Sequence, residues 1–214
     1  MIPMLPAGPP KFRRRKADRP DEIVAAALEV FVEKGFAAAR LDDIAARAGV
    51  SKGAIYLYFA TKQDIFRAVV ETAVAPNIKL MQQLAAVPTP FAERVRQFAA
   101  LSGPLAAHSP LGGIVKMILA EARNFPELAS IWHERTIEPV LTLLCDLIAM
   151  AQSQGEVRPG DPRLFAMGLV APTLVGVMWR ETFVPIGAPP FDITALAQQH
   201  AETVLRGMTP DPKP

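Results

Sequence analysis

Apolar residues recur at helical spacing on both sides of Gly49, in residues 41–59, LDDIAARAGVSKGAIYLYF. The apolar positions of these two short runs are Leu41, Ile44, Ala45, Ala48, Ile55 and Phe59. Gly49 has no Cβ and suits the left-handed residue that ends a helix, and Ser51 can cap the helix that follows. The pattern therefore predicts two helices of about two turns joined by a tight turn, which is a helix-turn-helix.

Helical periodicity continues on both sides of this motif. A first helix is predicted to begin near Arg19 and to end at Gly35, and a fourth to span residues 62–86 with a kink or break at Pro76. Breakers rich in proline and glycine separate five further helices, at about residues 91–107, 110–124, 127–153, 161–184 and 191–208. No stretch alternates long enough to predict a strand. We therefore expect an all-α protein of about nine helices.

The sequence IAARAGVSKGAIYLYFATKQDIF closely resembles the DNA-binding signature of the TetR/AcrR family of transcriptional regulators. The matching positions are Ile44, Ala45, Ala48, Gly49, Val50, Ser51, Gly53, Tyr56, Phe59 and Lys62. The resemblance implies a three-helix DNA-binding head followed by a helical regulatory domain. We accordingly expect a disordered basic arm at residues 1–16, a DNA-binding domain at residues 17–77 with its helix-turn-helix at about residues 40–59, and an effector-binding and dimerisation domain at residues 78–214.

In this family the third helix reads DNA, and here that helix is predicted at about residues 51–59. The residues at its DNA-facing positions are Ser51, Lys52, Gly53, Tyr56 and Tyr58. Gly53 permits a close approach to the sugar-phosphate backbone, and the Tyr56 hydroxyl can donate to a phosphate. A core position is the alternative for both tyrosines, but Ile55 and Phe59 already fill the inward face.

Two basic residues outside this helix are further candidates for phosphate contact. Arg40 stands where the family usually has a hydroxyl residue that caps the second helix, so it can instead reach a phosphate. Lys62 opens the fourth helix and is expected to hold another phosphate.

Charge is distributed unevenly along the chain. Residues 1–62 contain 11 Lys or Arg and 7 Asp or Glu, whereas the remainder contains 12 and 14. The positive excess at the DNA-binding end suits contact with phosphates. The run KFRRRK at residues 11–16 is either a solvated charge run or a flexible arm that meets phosphates or the minor groove. Its position beside the DNA-binding unit favours the arm.

Dimerisation is one task for the second domain, because a single recognition helix reads few bases. Two such helices about 34–36 Å apart read a palindrome in double-stranded DNA. Candidate interface residues on the last two predicted helices are Gly168, Leu169, Val175, Gly176, Leu196, Val204 and Leu205. The alternative is that these residues fill the core of one subunit.

Sensing of a small molecule is the other task, and the family implies it. The candidate pocket residues are the bulky, adaptable side chains Met117, Trp132, Met150, Phe165, Met167 and Met178. A methionine or aromatic residue at helical spacing is also a common core residue. Because few charges lie among these residues, we expect an apolar or amphipathic effector that acts through a difference in affinity between two states.

Other classes of protein find little support in the sequence. His108, His133 and His200 are scattered without metal-ligand spacing, and there is neither a phosphate loop nor a serine elbow. We therefore expect no enzyme activity and no cofactor. Cys145 is the only cysteine, so no internal disulfide can form and a reducing cytoplasm is the natural compartment. The apolar run at residues 164–179 is too short to span a membrane.

These observations predict a DNA-binding transcriptional regulator, most simply a repressor that binds a palindromic operator as a homodimer and is released by a small effector. The alternative is an architectural protein or activator that binds DNA without an effector.

Overall fold

The structure, a computed structural model, describes residues 19–210. This part of the chain forms nine α-helices and no strand, which confirms the all-α prediction. The helices are α1 (Arg19–Ala38), α2 (Leu41–Ala48), α3 (Lys52–Tyr56), α4 (Lys62–Ala86), α5 (Phe91–His108), α6 (Leu111–Glu121), α7 (Pro126–Ser153), α8 (Pro162–Thr182) and α9 (Ile193–Met208). The basic run at residues 11–16 lies outside the described residues.

The head contains α1, α2, α3 and the first half of α4, packed around an aromatic centre. The Phe36 ring lies 5.4 Å from that of Phe31 and 6.0 Å from that of Phe66, centroid to centroid. The same buried cluster continues into α6 and α7 through Ile114 and Leu128. The head therefore shares its core with the helices that follow, so the boundary expected near residue 77 does not coincide with a gap in packing.

Two glycines with positive φ shape the head. Gly35 (φ 78°, ψ 167°) interrupts α1, so the regular helix ends there as predicted and the chain turns towards α2. Gly49 (φ 66°, ψ 33°) ends α2, and the N–H of Val50 donates to the Ala45 carbonyl at 3.0 Å. Both conformations are costly for any residue with a Cβ.

The fourth helix begins and ends where the sequence predicts, but it is not broken at Pro76. At its start, Thr61 and Asp64 form a reciprocal capping box. Proline leaves the carbonyl of Thr72 without its intrahelical donor, but Thr72 and Pro76 are both exposed, so water can satisfy that group. The Asn77 side chain also donates to the Ala73 carbonyl at 3.1 Å. The helix can therefore continue from the head into the second domain.

The second core lies among α5, α7, α8 and α9. Ile148 and Ala166 are fully buried at its centre, and Phe91 and Met208 close it. Within α7, a π-helical segment at His133–Ile137 widens one turn.

Two helices, Pro126–Ser153 and Pro162–Ile186, are long and apolar enough to cross a membrane by length and composition alone. This is weak evidence, because core helices of other proteins pass the same test. In this structure α7 and α8 pack against each other and contribute Leu144 and Leu169 to the second core. The helical stretch at α8 is longer than the 16-residue run used in the sequence argument, because its polar ends are also helical.

Candidate nucleic-acid interface and adjoining cavity

The recognition segment presents its apolar anchor inwards and its larger side chains outwards. Ile55 is fully buried, whereas Tyr56 is 54% exposed and Leu57 is 78% exposed. The helix is shorter than the predicted residues 51–59, because the N–H groups of Leu57 and Tyr58 donate to carbonyls three residues back and the chain leaves the helix. Tyr58 therefore lies in the turn after α3, still on the exposed side of the head.

Gly53 has no structural reason to be glycine. Its φ is not positive, and a Cβ built on it would meet only the Ser51 hydroxyl, at 3.9 Å. An alanine there would favour the helix by about 1 kcal/mol. The missing side chain therefore leaves open space outside the protein, which is what a close approach to a DNA backbone needs.

The polar residues around α3 are placed at the surface. The Ser51 hydroxyl caps α3 by accepting the N–H of Ala54 at 3.2 Å and can still donate its own proton. The Lys52 ammonium lies 3.1 Å from the Asp42 carboxylate in an exposed ion pair, which a phosphate could replace at small cost. The Arg40 side chain is exposed, while its backbone N–H donates to the Asp43 carboxylate at 3.2 Å.

Lys62 has a different role from the phosphate contact expected for it. Its ammonium turns inwards and donates to the carbonyls of Phe36, at 2.5 Å, and Ala39, at 3.0 Å. It also lies 4.3 Å from the centre of the Phe36 ring. Burial lowers the pKa of Lys62, and the carboxylate of Glu121 opposes that shift. Lys62 thus holds the turn between α1 and α2 from within the head.

Glu121 holds the same turn from the second domain. Its carboxylate, at the end of α6, accepts the N–H of Phe36 at 2.9 Å and the N–H of Ala37 at 2.7 Å. A Cβ on Gly35 would collide with this carboxylate. The sequence analysis missed Glu121, because its partners lie 84 and 85 residues earlier and no local pattern marks such a contact.

An apolar cavity of about 240 Å³ lies among α4, α5, α6, α7 and α8. Of the six candidate pocket residues, only Trp132 lines it. Met117 is buried in the head core and Phe165 packs beside the second core, while Met150 and Met167 lie largely at the surface. Met178 is half-buried and does not line this cavity. The bulk and flexibility of a side chain did not identify the residues that line the cavity, because several helix faces carry bulky, flexible side chains.

The candidate interface residues divide into two groups. Leu169 and Leu205 are buried in the second core, and Val204 packs against it. A Cβ added to Gly176 would lie 3.3 Å from the side chains of Ile193 and Leu196 on α9. These five residues, Leu196 among them, join α8 and α9 within one subunit. Gly168 and Val175 differ: Val175 is 61% exposed, and a Cβ on Gly168 would meet nothing within 4 Å.

An exposed apolar stripe on α8 continues from these two residues. Leu164, Gly168, Ala171 and Val175 recur at spacings of four, three and four, which places them on one face of the helix. Leu164 is 71% exposed and Ala171 is also exposed. We call these four residues the α8 stripe.

An exposed third helix behind a glycine turn, joined by α4 to a helical domain that surrounds a cavity, defines a helix-turn-helix DNA-binding regulator. The family model for bacterial regulatory proteins of the tetR family matches residues 23–69, and the model for the C-terminal domain of AefR-like transcriptional repressors matches residues 93–206. The chain belongs to the TetR family of transcriptional regulators.

The relatives of this chain include both a repressor and an activator of transcription. The repressor BepR of Brucella suis is 40% identical over 77 residues, which cover 35% of this chain and 37% of BepR. The activator FasR of Mycolicibacterium smegmatis is 36% identical over 84 residues, 39% of this chain and 38% of FasR. The similarity thus spans less than two fifths of either relative's length.

A solved structure covers nearly the whole fold. SmeT of Stenotrophomonas maltophilia, the repressor of a multidrug efflux pump, has been solved in complex with triclosan. That structure superposes with a TM-score of 0.73 over 92% of this chain and 99% of its own, at 22% sequence identity. At this identity the likeness establishes the fold.

Proposed function

We propose that the protein is a homodimeric transcriptional repressor of the cytoplasm that binds a palindromic double-stranded operator and releases it when a small apolar or amphipathic molecule binds. The observation that carries the proposal is the course of α4. Near its start Lys62 holds the turn before α2, and further along Asn77 and Met81 line the cavity. One continuous helix therefore connects the DNA-binding head with the cavity that we propose as the ligand site.

Repression is the favoured direction because the match over residues 93–206 is to a repressor domain. The binding of triclosan by SmeT supports a small apolar effector. Activation, or DNA binding without an effector, is the alternative that the activator FasR keeps open.

The proposed DNA contact is tested at Gly53. Gly53→Ala should leave the protein as stable as the wild type or slightly more stable, because alanine favours a helix and meets no neighbour. Operator affinity, measured by fluorescence anisotropy with a palindrome selected from random duplexes, should nevertheless fall at least tenfold. Leu119→Ala, at an exposed residue of α6, is the control and should bind like the wild type. Unchanged affinity of the Gly53 variant would refute the close approach at α3.

The proposed dimer is tested at the α8 stripe. Val175→Glu places a charge within the proposed apolar contact and should convert dimers to monomers in sedimentation velocity. Val87→Glu is the matched control, because Val87 is also exposed (49%) but lies in the loop after α4. A dimer that survives the change at Val175 would show that the subunits meet elsewhere.

Release by an effector is tested with the same operator duplex. A neutral apolar compound that binds the protein should weaken operator binding, and by linkage the operator should weaken the compound's binding by the same factor. Binding of such compounds without any change in operator affinity would favour the alternative, a DNA-binding protein without an effector.

A further inference from the structure

The cavity among α4–α8 is unusual in the kind of polar groups it offers. None of its 18 lining residues is ionisable. Four of them are polar but uncharged, and each comes from a different helix: Asn77 from α4, Ser102 from α5, Thr136 from α7 and Thr173 from α8. A carboxylate or ammonium buried among such groups would lose its hydration without gaining a partner of opposite charge.

Arg180 and Glu181, the charged residues that face Gly112 in the cavity wall, are already engaged. Behind Gly112, Arg180 forms an ion pair with Glu181 at 2.7 Å. The Arg180 guanidinium also donates to the carbonyls of Ala106 and Ala107 at the end of α5. A charged ligand would therefore have to compete with an ion pair and with backbone acceptors.

Thr136 is the polar lining residue whose bonding is incomplete. Its Oγ1 atom is buried and makes no hydrogen bond within the described part of the chain. Thr136 lies in the π-helical segment His133–Ile137, and such segments occur frequently at functional sites. Threonine in a helix occupies two χ1 rotamers, so a rotation about Cα–Cβ can turn the hydroxyl towards the cavity.

The size of the cavity limits the ligand. Its volume of about 240 Å³ exceeds the ~150 Å³ of an engineered cavity that holds benzene. A second cavity of about 40 Å³ lies beyond Met81 and Phe98, which line both spaces. Methionine is adaptable, so a movement of Met81 could admit a short apolar extension of the ligand.

We propose that this site selects an uncharged amphipathic molecule, about one aromatic ring with a short alkyl group in size, whose single hydroxyl or carbonyl group pairs with the hydroxyl of Thr136. The inference rests on the proposed function in that it takes this cavity as the effector site. It goes further by naming the chemistry of the ligand and the residue that recognises it.

Three probes of similar shape test the proposal with the full chain: 4-ethylphenol, 4-ethyltoluene and 4-ethylbenzoate. Isothermal titration at neutral pH measures affinity, and emission of Trp132 in a Trp179→Phe background reports occupancy of the cavity, because Trp132 lines it. We expect 4-ethylphenol to bind most tightly and the anionic 4-ethylbenzoate to bind most weakly.

Thr136→Val keeps the shape of the side chain and removes only the hydroxyl. It should weaken 4-ethylphenol about tenfold, the loss of one hydrogen bond, and leave 4-ethyltoluene unchanged. Thr142→Val is the matched control, because Thr142 is an exposed threonine of α7 that does not line the cavity, and it should alter the affinity for 4-ethylphenol by no more than about twofold. The melting temperature of the Thr136 variant should not fall, since its hydroxyl has no partner to lose.

Three results would overturn the inference: no binding by either neutral probe, equal affinity of 4-ethylphenol for the wild type and the Thr136 variant, or tighter binding of 4-ethylbenzoate. Operator release separates this inference from the proposed function. If 4-ethylphenol binds through Thr136 but leaves operator affinity unchanged, the ligand chemistry stands and the effector role fails. If 4-ethylphenol releases the operator equally well from the wild type and the Thr136 variant, the effector role stands and the assignment of Thr136 fails.

Discussion

Removal of the Glu121 carboxylate should loosen the turn between α1 and α2 from a distance of more than 80 residues along the chain. In the wild type this carboxylate accepts the N–H groups of Phe36 and Ala37 at 2.9 and 2.7 Å. Glu121→Ala leaves both donors without a partner. Phe36 is fully buried, whereas Ala37 is exposed and its N–H can be hydrated again.

The magnitude follows from this difference in burial. A buried N–H left unsatisfied costs about 1–3 kcal/mol, whereas an exposed one costs about 0.5 kcal/mol or less. The free energy of unfolding should therefore fall by about 1–3.5 kcal/mol. For a chain of this size each kcal/mol lowers the melting temperature by about 2–4 °C, so we expect a loss of roughly 2–14 °C.

Thermal unfolding followed by circular dichroism measures this loss, and amide hydrogen exchange locates it. The N–H groups of Phe36 and Ala37 should exchange faster in the variant, while those of α9 should not. Glu202→Ala is the control, because Glu202 pairs with Arg96 in an exposed ion pair within the second domain and should shift the melting temperature little. Equal shifts for the two variants would refute the role of Glu121.

Three further predictions concern the same region. Hydrogen bonds from Lys34 and from the Arg40 N–H lower the pKa of Asp43. Its carboxylate therefore stabilises the fold above the usual carboxyl pKa, and this contribution is lost as the pH falls through the lowered pKa. The melting temperature of Asp43→Asn should accordingly lie below that of the wild type at neutral pH, and the difference should become smaller in acid. Lys62→Met should lower the melting temperature and operator affinity but leave the salt dependence of binding unchanged, whereas loss of a phosphate contact would reduce the slope of log K against log salt by about 1. Combining Lys62→Met with Glu121→Ala should give a non-additive loss of at least 0.5 kcal/mol in urea unfolding, because both side chains hold residues 35–39; strict additivity would show that they act independently.

Local signals in the sequence predicted the fold well. The bounds of α4 follow from a capping box at Thr61 and Asp64 and from the prolines after Ala86, all of which act within a few residues. The left-handed conformation of Gly49 and the cap at Ser51 are local as well. Of the kink or break predicted at Pro76 the break does not occur, and because Thr72 and Pro76 are both exposed, water can reach the freed carbonyl.

The site was predicted only where it depends on orientation around a single helix. Ile55 points inwards and Tyr56 outwards, as their separation of about 100° requires. The orientation of Lys62 could not be predicted from sequence, because a basic residue at a helix start can turn to a phosphate or to nearby carbonyls. Here it turns to the carbonyls at the end of α1. The cavity residues were also missed, because residue type does not determine position: Met117 and Met167 have the same side chain, yet Met117 is buried in the head core and Met167 lies at the surface.

Two helices connect the cavity with the turn at residues 35–39, and they do so from opposite sides. Helix α4 lines the cavity through Met81 and reaches the carbonyls of the turn through Lys62, about 28 Å away along the helix axis. Helix α6 lines the cavity through Val115 and reaches the N–H groups of the turn through Glu121. A ligand that separates α4 from α6 would pull the two anchors of the turn apart, and the turn sets the position of α2 and α3. The proposed effector response should therefore depend on both anchors, even though neither side chain lines the cavity.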